Sequence, residues 1–416
     1  MQILIEECKK AFKSPVLLGL VGLFSAFNIF LIVSDSYFKE ELKIANELSK
    51  TYGLEITDES LQQFEQDLRQ ESNELADSIG ESFDRVQAFL DQLSLEAYDQ
   101  YSADEQASFE QLALKEVHLE RAKSIDEDYN KINVAGMAES TIEMYSLSGK
   151  PADVFRHEYK KLEQRFEEMI ANNEHKEWFF LGKPYLVHSM LFRSLFQTFI
   201  FEALLLIVLT TAFLTAFEFE NKTHLLTYST KQGRTLMKHK LIASLTTSLS
   251  FVLSVLAVTL LTYFIVFDYS YLWKSSISSA LNWEYNIPYM TWWDMPFWKY
   301  LLLTILLMLI CFVLFSVLTF AIATVVKNSY FTFFIFAILF AIGFLLPGFM
   351  PTSSLLFIAS LFNLPIVVMN PHMLFMGNSG LTVFKYHELL TIGIWSIVMM
   401  ILYGFVMKYM KKIDLV

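Results

Sequence analysis

The residues of this chain that could carry out chemistry are few and scattered. The sequence contains no G-x-x-x-x-G-K-[ST] phosphate-binding loop, so we do not expect the chain itself to hydrolyse ATP. It has no H-E-x-x-H or C-x-x-C pair to hold a metal ion. Cys8 and Cys311 are far apart in the chain and are not expected to form a disulfide. We therefore predict a protein that has no catalytic residues, no metal site and no cofactor of its own.

Histidines and carboxylates are plentiful in one acidic stretch, but their spacing suggests no site. We interpret four histidines there as surface side chains, which are more common than zinc ligands: His118, His157, His175 and His188. Pairs of carboxylates are so frequent in this stretch that solvated helix faces explain them.

Glu202 is different, because it is the one charged residue inside an apolar run long enough to cross a membrane. A carboxylate in hydrocarbon costs a few kcal/mol, which makes it a candidate functional residue. Arg193 lies nine residues earlier, about 13 Å along a helix, which is too far for direct contact. The alternative is that Glu202 lies near the outer interface or pairs with another span.

Composition indicates a chain with a membrane-embedded part and a water-exposed part. Of 416 residues, 54% are hydrophobic and 18% are charged, and the mean hydropathy is +0.39. Soluble domains have about 45–50% apolar and about 25% charged residues. Several uncharged runs reach the ~20 residues that a helix needs to cross ~30 Å of hydrocarbon.

These runs predict an all-α membrane protein of six transmembrane helices, with both termini in the cytoplasm. Lysines before the first run and after the last one set this orientation by the positive-inside rule. In chain order we predict a cytoplasmic amphipathic surface helix (1–14), span 1 (15–33), an extracytoplasmic helical domain (34–190), span 2 (195–217), a cytoplasmic loop (218–240), span 3 (241–267), an outer loop (268–299), span 4 (300–326), span 5 (331–346), a hairpin and outer loop (347–388), span 6 (389–407) and a cytoplasmic tail (408–416).

Two details of this topology depend on weaker signals. Residues 352–368 are apolar enough to cross, but prolines bracket them; a re-entrant hairpin, unlike a full crossing, keeps Lys408, Lys411 and Lys412 in the cytoplasm. In the surface helix, Lys9, Lys10 and Lys13 are assigned to the polar face. The outer loop has an expected interfacial belt of Trp273, Trp283, Trp292 and Trp293.

The stretch between spans 1 and 2 is strongly acidic and is predicted to be helical. Residues 35–187 contain 34 acidic and 16 basic residues, which argues against binding nucleic acid. Apolar residues recur every three, four or seven positions from Asp58 to Leu93, which predicts one long helix. Further helices are predicted over Ala103–Ile132 and Ala152–Ala171, so the expected packing is a bundle or a coiled-coil-like stalk.

The loop after span 2 has the most specific pattern. It reads F-E-x-E-x-x-T-x-x-L-x-x-S-T-x-x-G-R from Phe217 to Arg234, with a helix–turn–helix shape suited to docking or to an ordinary connector. With the surface helix and the six-span order, it resembles bacterial ABC-2 type permeases, the exporter-like class of ATP-binding-cassette transporters. The resemblance implies that a separate ATPase subunit contacts Glu218, Glu220, Thr223, Ser229, Thr230, Gly233 and Arg234.

By this resemblance the chain is a membrane subunit that pairs with a like or related permease, as a homo- or heterodimer, and with ABC ATPase subunits. The expected activity is export of a hydrophobic or amphipathic substrate such as a peptide, an antibiotic or an envelope component. The large outer domain departs from short-loop members of the family. It leaves open an alternative, an envelope-ligand sensor or scaffold with a helical stalk.

Overall fold

The protein is described by a computed structural model over residues 2–178, 189–228, 233–279, 283–284 and 287–412. The described residues are almost wholly helical. Six of their helices are long and apolar enough to cross a membrane, which makes this a multi-pass membrane architecture. Spans 1 to 6 are Pro15–Ser34, Met190–Glu220, Leu236–Val266, Phe297–Val326, Ser329–Phe349 and His387–Met410.

We number the helices in chain order. They are α1 (Gln2–Phe12), α2 (Pro15–Ser34), α3 (Lys39–Tyr52), α4 (Asp58–Ile79), α5 (Val86–Leu90), α6 (Leu95–Tyr98), α7 (Ala103–Asn130), α8 (Val134–Met144), α9 (Lys150–Ala171), α10 (Phe196–Glu220), α11 (His224–Tyr228), α12 (Gly233–Val266), α13 (Phe297–Val326), α14 (Ser329–Leu345), α15 (Leu355–Leu361), α16 (Leu364–Met369) and α17 (His387–Lys412). A minimal antiparallel pair, β1 (Trp283–Glu284) and β2 (Ile287–Pro288), lies between α12 and α13.

Span 2 is longer than the sequence predicts at both ends. It begins with one π-helical turn, Met190–Leu195, and α10 then continues without interruption to Glu220. At the other side of the loop, α12 already begins at Gly233. The predicted loop over residues 218–240 is therefore helical at both ends, because its charged residues find partners on neighbouring helices.

The contacts sort the chain into two sides of the span bundle. On one side, which we call the terminal side, one apolar cluster joins Ile3 of α1, Phe219 at the end of span 2, and Tyr403 and Met410 of α17. On the opposite side, the domain side, lie residues 35–178, the connection between α12 and α13, and residues 346–386. Six crossings require this arrangement, since they return the chain to the side on which it began.

Residues 346–386 form short helices against the inserted domain. α15 has seven residues and α16 has six, so each is about 10 Å long, well short of the ~30 Å of a crossing. The Thr352 hydroxyl donates to the Ser146 carbonyl at 2.8 Å, and the rings of Phe155 and Phe384 are 5.6 Å apart. The segment therefore packs on α8 and α9, with prolines at its turns.

The inserted domain is built on the antiparallel pair α4 and α7. Both helices begin at a capping box, Thr57 with Ser60 and Ser102 with Glu105, which satisfies backbone N–H groups that a helix start leaves free. Between them lies a core of buried apolar side chains: Phe64, Leu68, Leu75, Phe109, Leu112 and Leu119.

The prediction of one helix from Asp58 to Leu93 is wrong. α4 ends at Ile79 because Gly80 adopts a left-handed conformation, φ 72°, that terminates the helix. The chain then turns back, and the Glu116 carboxylate of α7 accepts hydrogen bonds from the Val86 and Gln87 N–H groups. The apolar stripe continues beyond Gly80 because α5 packs on α7. The other two predicted helices correspond to α7 and α9 within two residues at each end.

A buried ion pair joins the inserted domain to the connection between α12 and α13. Arg165 of α9 makes a two-point contact with Glu174, and its Nε donates to the Thr291 carbonyl at 3.0 Å. Trp292 is 3% exposed at this junction, so it does not belong to the predicted interfacial belt. Tertiary packing against α9 covers it; the side chain of Trp283 lies outside the described residues.

Two of the predicted surface histidines are buried. His118 and His175 are 0% and 1% exposed. Burial lowers the pKa of His118 to about 3, so its imidazole is neutral, and burial also lowers the pKa of His175, which lies 3.0 Å from Asp126. His118 lies on the buried face of α7 and His175 in the turn that follows α9, so both enter the domain interior, a feature that the polar character of histidine conceals in the sequence.

Removing Arg165 should destabilise the junction strongly. Arg165→Ala leaves the Glu174 carboxylate buried without its partner, which typically costs about 3–5 kcal/mol. We expect a clear drop in the thermal unfolding midpoint of the full chain in mild detergent. The control is Arg156→Ala, which removes an equally bidentate but solvent-exposed pair with Glu139 and should change the midpoint little. Equal midpoints for the two variants would contradict the assignment.

The junction should also weaken as pH rises. Burial raises the pKa of the Glu177 carboxyl to about 7, and Asp294 and Glu174 add to the effect. The folded state therefore holds this proton more tightly than the unfolded state, whose glutamates titrate near pH 4.3. Stability falls by about 3–4 kcal/mol in total as pH rises between these two values, and it is level above them. We expect Glu177→Gln to flatten the fall of the unfolding midpoint between about pH 5 and pH 7. Parallel pH curves for wild type and variant would refute this.

Candidate functional site

Four charged side chains converge on the terminal side of spans 2 and 3. Lys10 of α1 contacts Glu7 at 2.6 Å and Glu218 at 2.9 Å. Lys240 of α12 contacts Glu218 directly and lies 3.7 Å from Glu7. We call these four residues the charge cluster; it ties α1 to both spans through alternating positive and negative groups.

The charge cluster is almost sealed from solvent. Lys240 is 0% exposed and the two carboxylates, Glu7 and Glu218, are 4% exposed each. The Lys240 ammonium also donates to the Leu214 carbonyl within span 2. Buried charges are tolerated only with close partners, since each one loses several kcal/mol of hydration. The net charge of the cluster is zero, which makes its burial possible.

The sequence predicts Lys10 on a solvated polar face of α1, but the structure turns its side chain towards the charge cluster. Burial by itself lowers the pKa of Lys10, but its bonds to Glu7 and Glu218 outweigh this and raise the pKa above its ordinary value. Its ammonium also lies 4.4 Å from the centre of the Phe217 ring. Opposite charges on the facing helices draw this lysine inward, while Ile5 of α1 stays 49% exposed.

The charge cluster couples α1 mechanically to spans 2 and 3. α1 packs along α10 and α12, and the ion pairs of the charge cluster fix its position relative to both helices. A force applied to α1 is therefore transmitted to spans 2 and 3, because separating the pairs would strand buried charges.

The residues predicted to contact an ATPase at the loop after span 2 have different environments in the structure. The Glu218 carboxylate is buried in the charge cluster, whereas Glu220 is exposed and accepts from the Ser329 N–H at 2.6 Å. Thr223 is exposed in the loop. Gly233 and Arg234 begin α12, and their side chains are not described; Ser229 and Thr230 lie outside the described residues.

The short helix α11 exposes apolar side chains in the described part of the loop. Leu225 and Leu226 are 52% and 79% exposed, and the helix is held to span 2 by the His224 ring, which stacks on Phe219 with centroids 5.1 Å apart. The two leucines therefore present an apolar surface on the terminal side of the bundle.

Deep in the bundle, Glu202 is bonded to Asn28 of span 1, which is also bonded to span 3. Asn28 Nδ2 donates to Glu202 Oε2 at 2.8 Å and to Thr259 Oγ1 at 2.9 Å. These are side-chain contacts between three different spans. The sequence allows Glu202 either to lie near the outer interface or to pair with another span, and the structure shows the pairing.

Sequence reasoning missed Glu7, Lys10, Lys240 and Asn28 as interacting residues. Each lies in a different segment, and no local pattern shows which helices become neighbours. The available signals were weak: a glutamate within the predicted amphipathic helix, and one asparagine within the otherwise apolar span 1.

Comparison with known proteins does not assign the chain to a family. No family model matches the chain, and neither the curated proteins nor the solved structures contain a significant match. Across the described part of the chain, no group of three or more His, Cys, Asp or Glu side chains is placed to hold a metal ion.

Neutralising Lys240 should destabilise the span bundle. Lys240→Met leaves the two buried carboxylates, Glu218 and Glu7, with Lys10 as their one cation, so one negative charge of the cluster is uncompensated. We expect a loss of about 3–5 kcal/mol, measured as a lower thermal midpoint in mild detergent. Adding Glu218→Gln should restore part of the loss, because the unpaired charge is then removed. The control is Lys238→Met, which changes an exposed lysine on the same helix turn. If the double variant is no more stable than Lys240→Met alone, the pairing is not the cause.

Proposed function

We propose that this chain is the membrane-spanning permease subunit of an ATP-driven ABC exporter. The observation that carries the proposal is the charge cluster, which joins α1 to spans 2 and 3 on the side where α11 exposes its leucines. A transporter subunit without its own ATPase needs such a rigid link between a docking surface and its spans. The F-E-x-E-x-x-T pattern of the same loop supports this reading.

In this proposal the terminal side is cytoplasmic and the inserted domain is extracytoplasmic. Lysines of the terminal side, among them Lys9, Lys13, Lys222 and Lys238, agree with the positive-inside rule. The acidic inserted domain would then face away from the anionic cytoplasmic leaflet.

The proposed mechanism is rigid-body switching. Closure of two ATPase subunits would press on α11 and α1, and the charge cluster would pass the movement to spans 2 and 3. The spans of this chain and of a second permease, like or related, would rock between two arrangements. A hydrophobic or amphipathic substrate, such as a peptide, an antibiotic or an envelope component, would suit the apolar spans.

A second candidate function, that of an envelope-ligand sensor, is favoured by a cavity in the inserted domain. The cavity measures about 490 Å³ and lies between α4 and α7. Charges of both signs line it, including Glu65, Arg69, Arg85, Glu116 and Lys123. In an exporter the same cavity would receive cargo or an envelope component.

Affinity purification of the tagged chain from its native host, in mild detergent, tests the exporter proposal. We expect an ATPase subunit to co-purify, and we expect Leu226→Glu to release it, because a charge would replace an apolar contact at the docking surface. Glu220→Lys and Arg234→Glu should weaken the complex in the same way. The measurement is the ratio of ATPase to tagged chain by quantitative mass spectrometry.

The matched control is Leu95→Glu, which changes a leucine of similar exposure, 83%, in the inserted domain. It should leave the ATPase bound. If no ATPase appears even after cross-linking, or if Leu95→Glu releases it equally, the exporter proposal fails. A ligand retained by the inserted domain would then favour the sensor.

A further inference from the structure

We propose that Glu202 is an intramembrane proton-binding site, which holds a proton at neutral pH while spans 1, 2 and 3 pack together. Ionisation would then require the three spans to separate and admit water. The proposal does not depend on docking of an ATPase, because its groups lie within the bundle.

The site is formed by one polar side chain from each of the three spans. Asn28, Glu202 and Thr259 are 0%, 5% and 0% exposed, and no contact among them is longer than 2.9 Å. Asn28 lies six residues before the end of span 1 and Thr259 lies seven before the end of span 3. Both are thus about 10 Å below the domain side of the bundle, within the apolar layer.

The hydrogen bonds of the site lack a donor. The Asn28 amide uses its donor group on Glu202 Oε2 and Thr259 Oγ1, and the Thr259 hydroxyl donates to the Val255 carbonyl. Among the described residues, Glu202 Oε1 and Asn28 Oδ1 are buried without a hydrogen-bond partner. An ionised glutamate would therefore keep a single bond for two oxygens that can each accept more than one.

Among the residues that the structure describes, no charged side chain is placed to compensate an ionised Glu202. Span 1 has no charged residue between positions 15 and 34. On span 3 the ionisable residues Lys238, His239 and Lys240 are at the terminal end, and on span 4 Lys299 is at the start. On span 2 itself, Arg193 is exposed and about 13 Å away along the helix, while Glu218 and Glu220 are four turns or more beyond Glu202.

A neutral carboxylic acid fits these surroundings better than a carboxylate. Protonation removes the charge, whose transfer into an apolar interior is far more costly than that of a neutral polar group. It also converts one of the two oxygens into a donor, the element that the site lacks. The proton comes from water when the site forms and returns to water when the spans part, so packing and proton binding are linked.

Infrared spectroscopy of the full chain in lipid tests the proposal directly. Near neutral pH we expect a carbonyl stretching band of a protonated carboxylic acid that is lost in Glu202→Gln and retained, slightly shifted, in Glu202→Asp. The band should persist well above the ordinary glutamate titration near pH 4.3. It should also disappear at unchanged pH when SDS separates the helices, because the carboxyl then meets water.

The control is Glu220→Gln, an exposed carboxylate of the same helix, which should leave the acid band unchanged. Monodisperse elution of each variant shows that its fold is retained. A wild-type spectrum without an acid band assignable to Glu202 would overturn the proposal. So would a carboxylate band of Glu202 that shifts when a bulky organic cation replaces Na⁺, because the site would then bind a metal cation.

Discussion

The packing of span 2 among its neighbours is the interaction on which the rest of the structure depends. Span 2 is the most buried of the six, and it contacts spans 1, 3, 4 and 5 as well as α1. In hydrocarbon, every backbone N–H and C=O must be bonded within a helix, and polar side chains must find partners on adjacent helices. Both buried carboxylates of the bundle that we discuss, Glu202 and Glu218, project from this one helix.

The two carboxylates meet opposite environments on span 2, Glu218 at its terminal-side end and Glu202 within the span. Glu218 has two lysines as partners, so its charge is compensated within a neutral cluster. Glu202 has an asparagine amide alone, so its charge is not compensated. The same residue type therefore forms ion pairs at the terminal side and, as proposed above, a proton-binding site deeper in the bundle. The neighbouring helices, rather than the glutamate itself, decide between these roles.

On the domain side, buried contacts make the inserted domain a fixed part of the molecule. Arg165, Glu174 and Thr291 join α9 to the connection between spans 3 and 4. The segment after span 5 adds a close approach, since a Cβ atom at Gly377 would lie 2.2 Å from the Leu162 side chain. A movement of the spans on this side would therefore carry the domain with it, which distinguishes it from a flexible stalk.

The sequence by itself determined the helical class and the six spans, because uncharged runs of about 20 residues have few other solutions. It also located α7 and α9 through their periodicity. It did not reveal the end of α4, since an apolar stripe continues through Gly80 although the backbone turns there. Nor did it reveal that Lys10 and Lys240 share Glu218, or that Asn28 reaches Glu202. Lys10 and Glu218 are 208 residues apart, and Asn28 and Glu202 are 174 apart. Lys240 and Glu218 are nearer in the chain, but no local pattern shows that their helices pack side by side. Only the tertiary structure decided them, because burial creates the need for a partner and the packing of helices determines which partner is within reach.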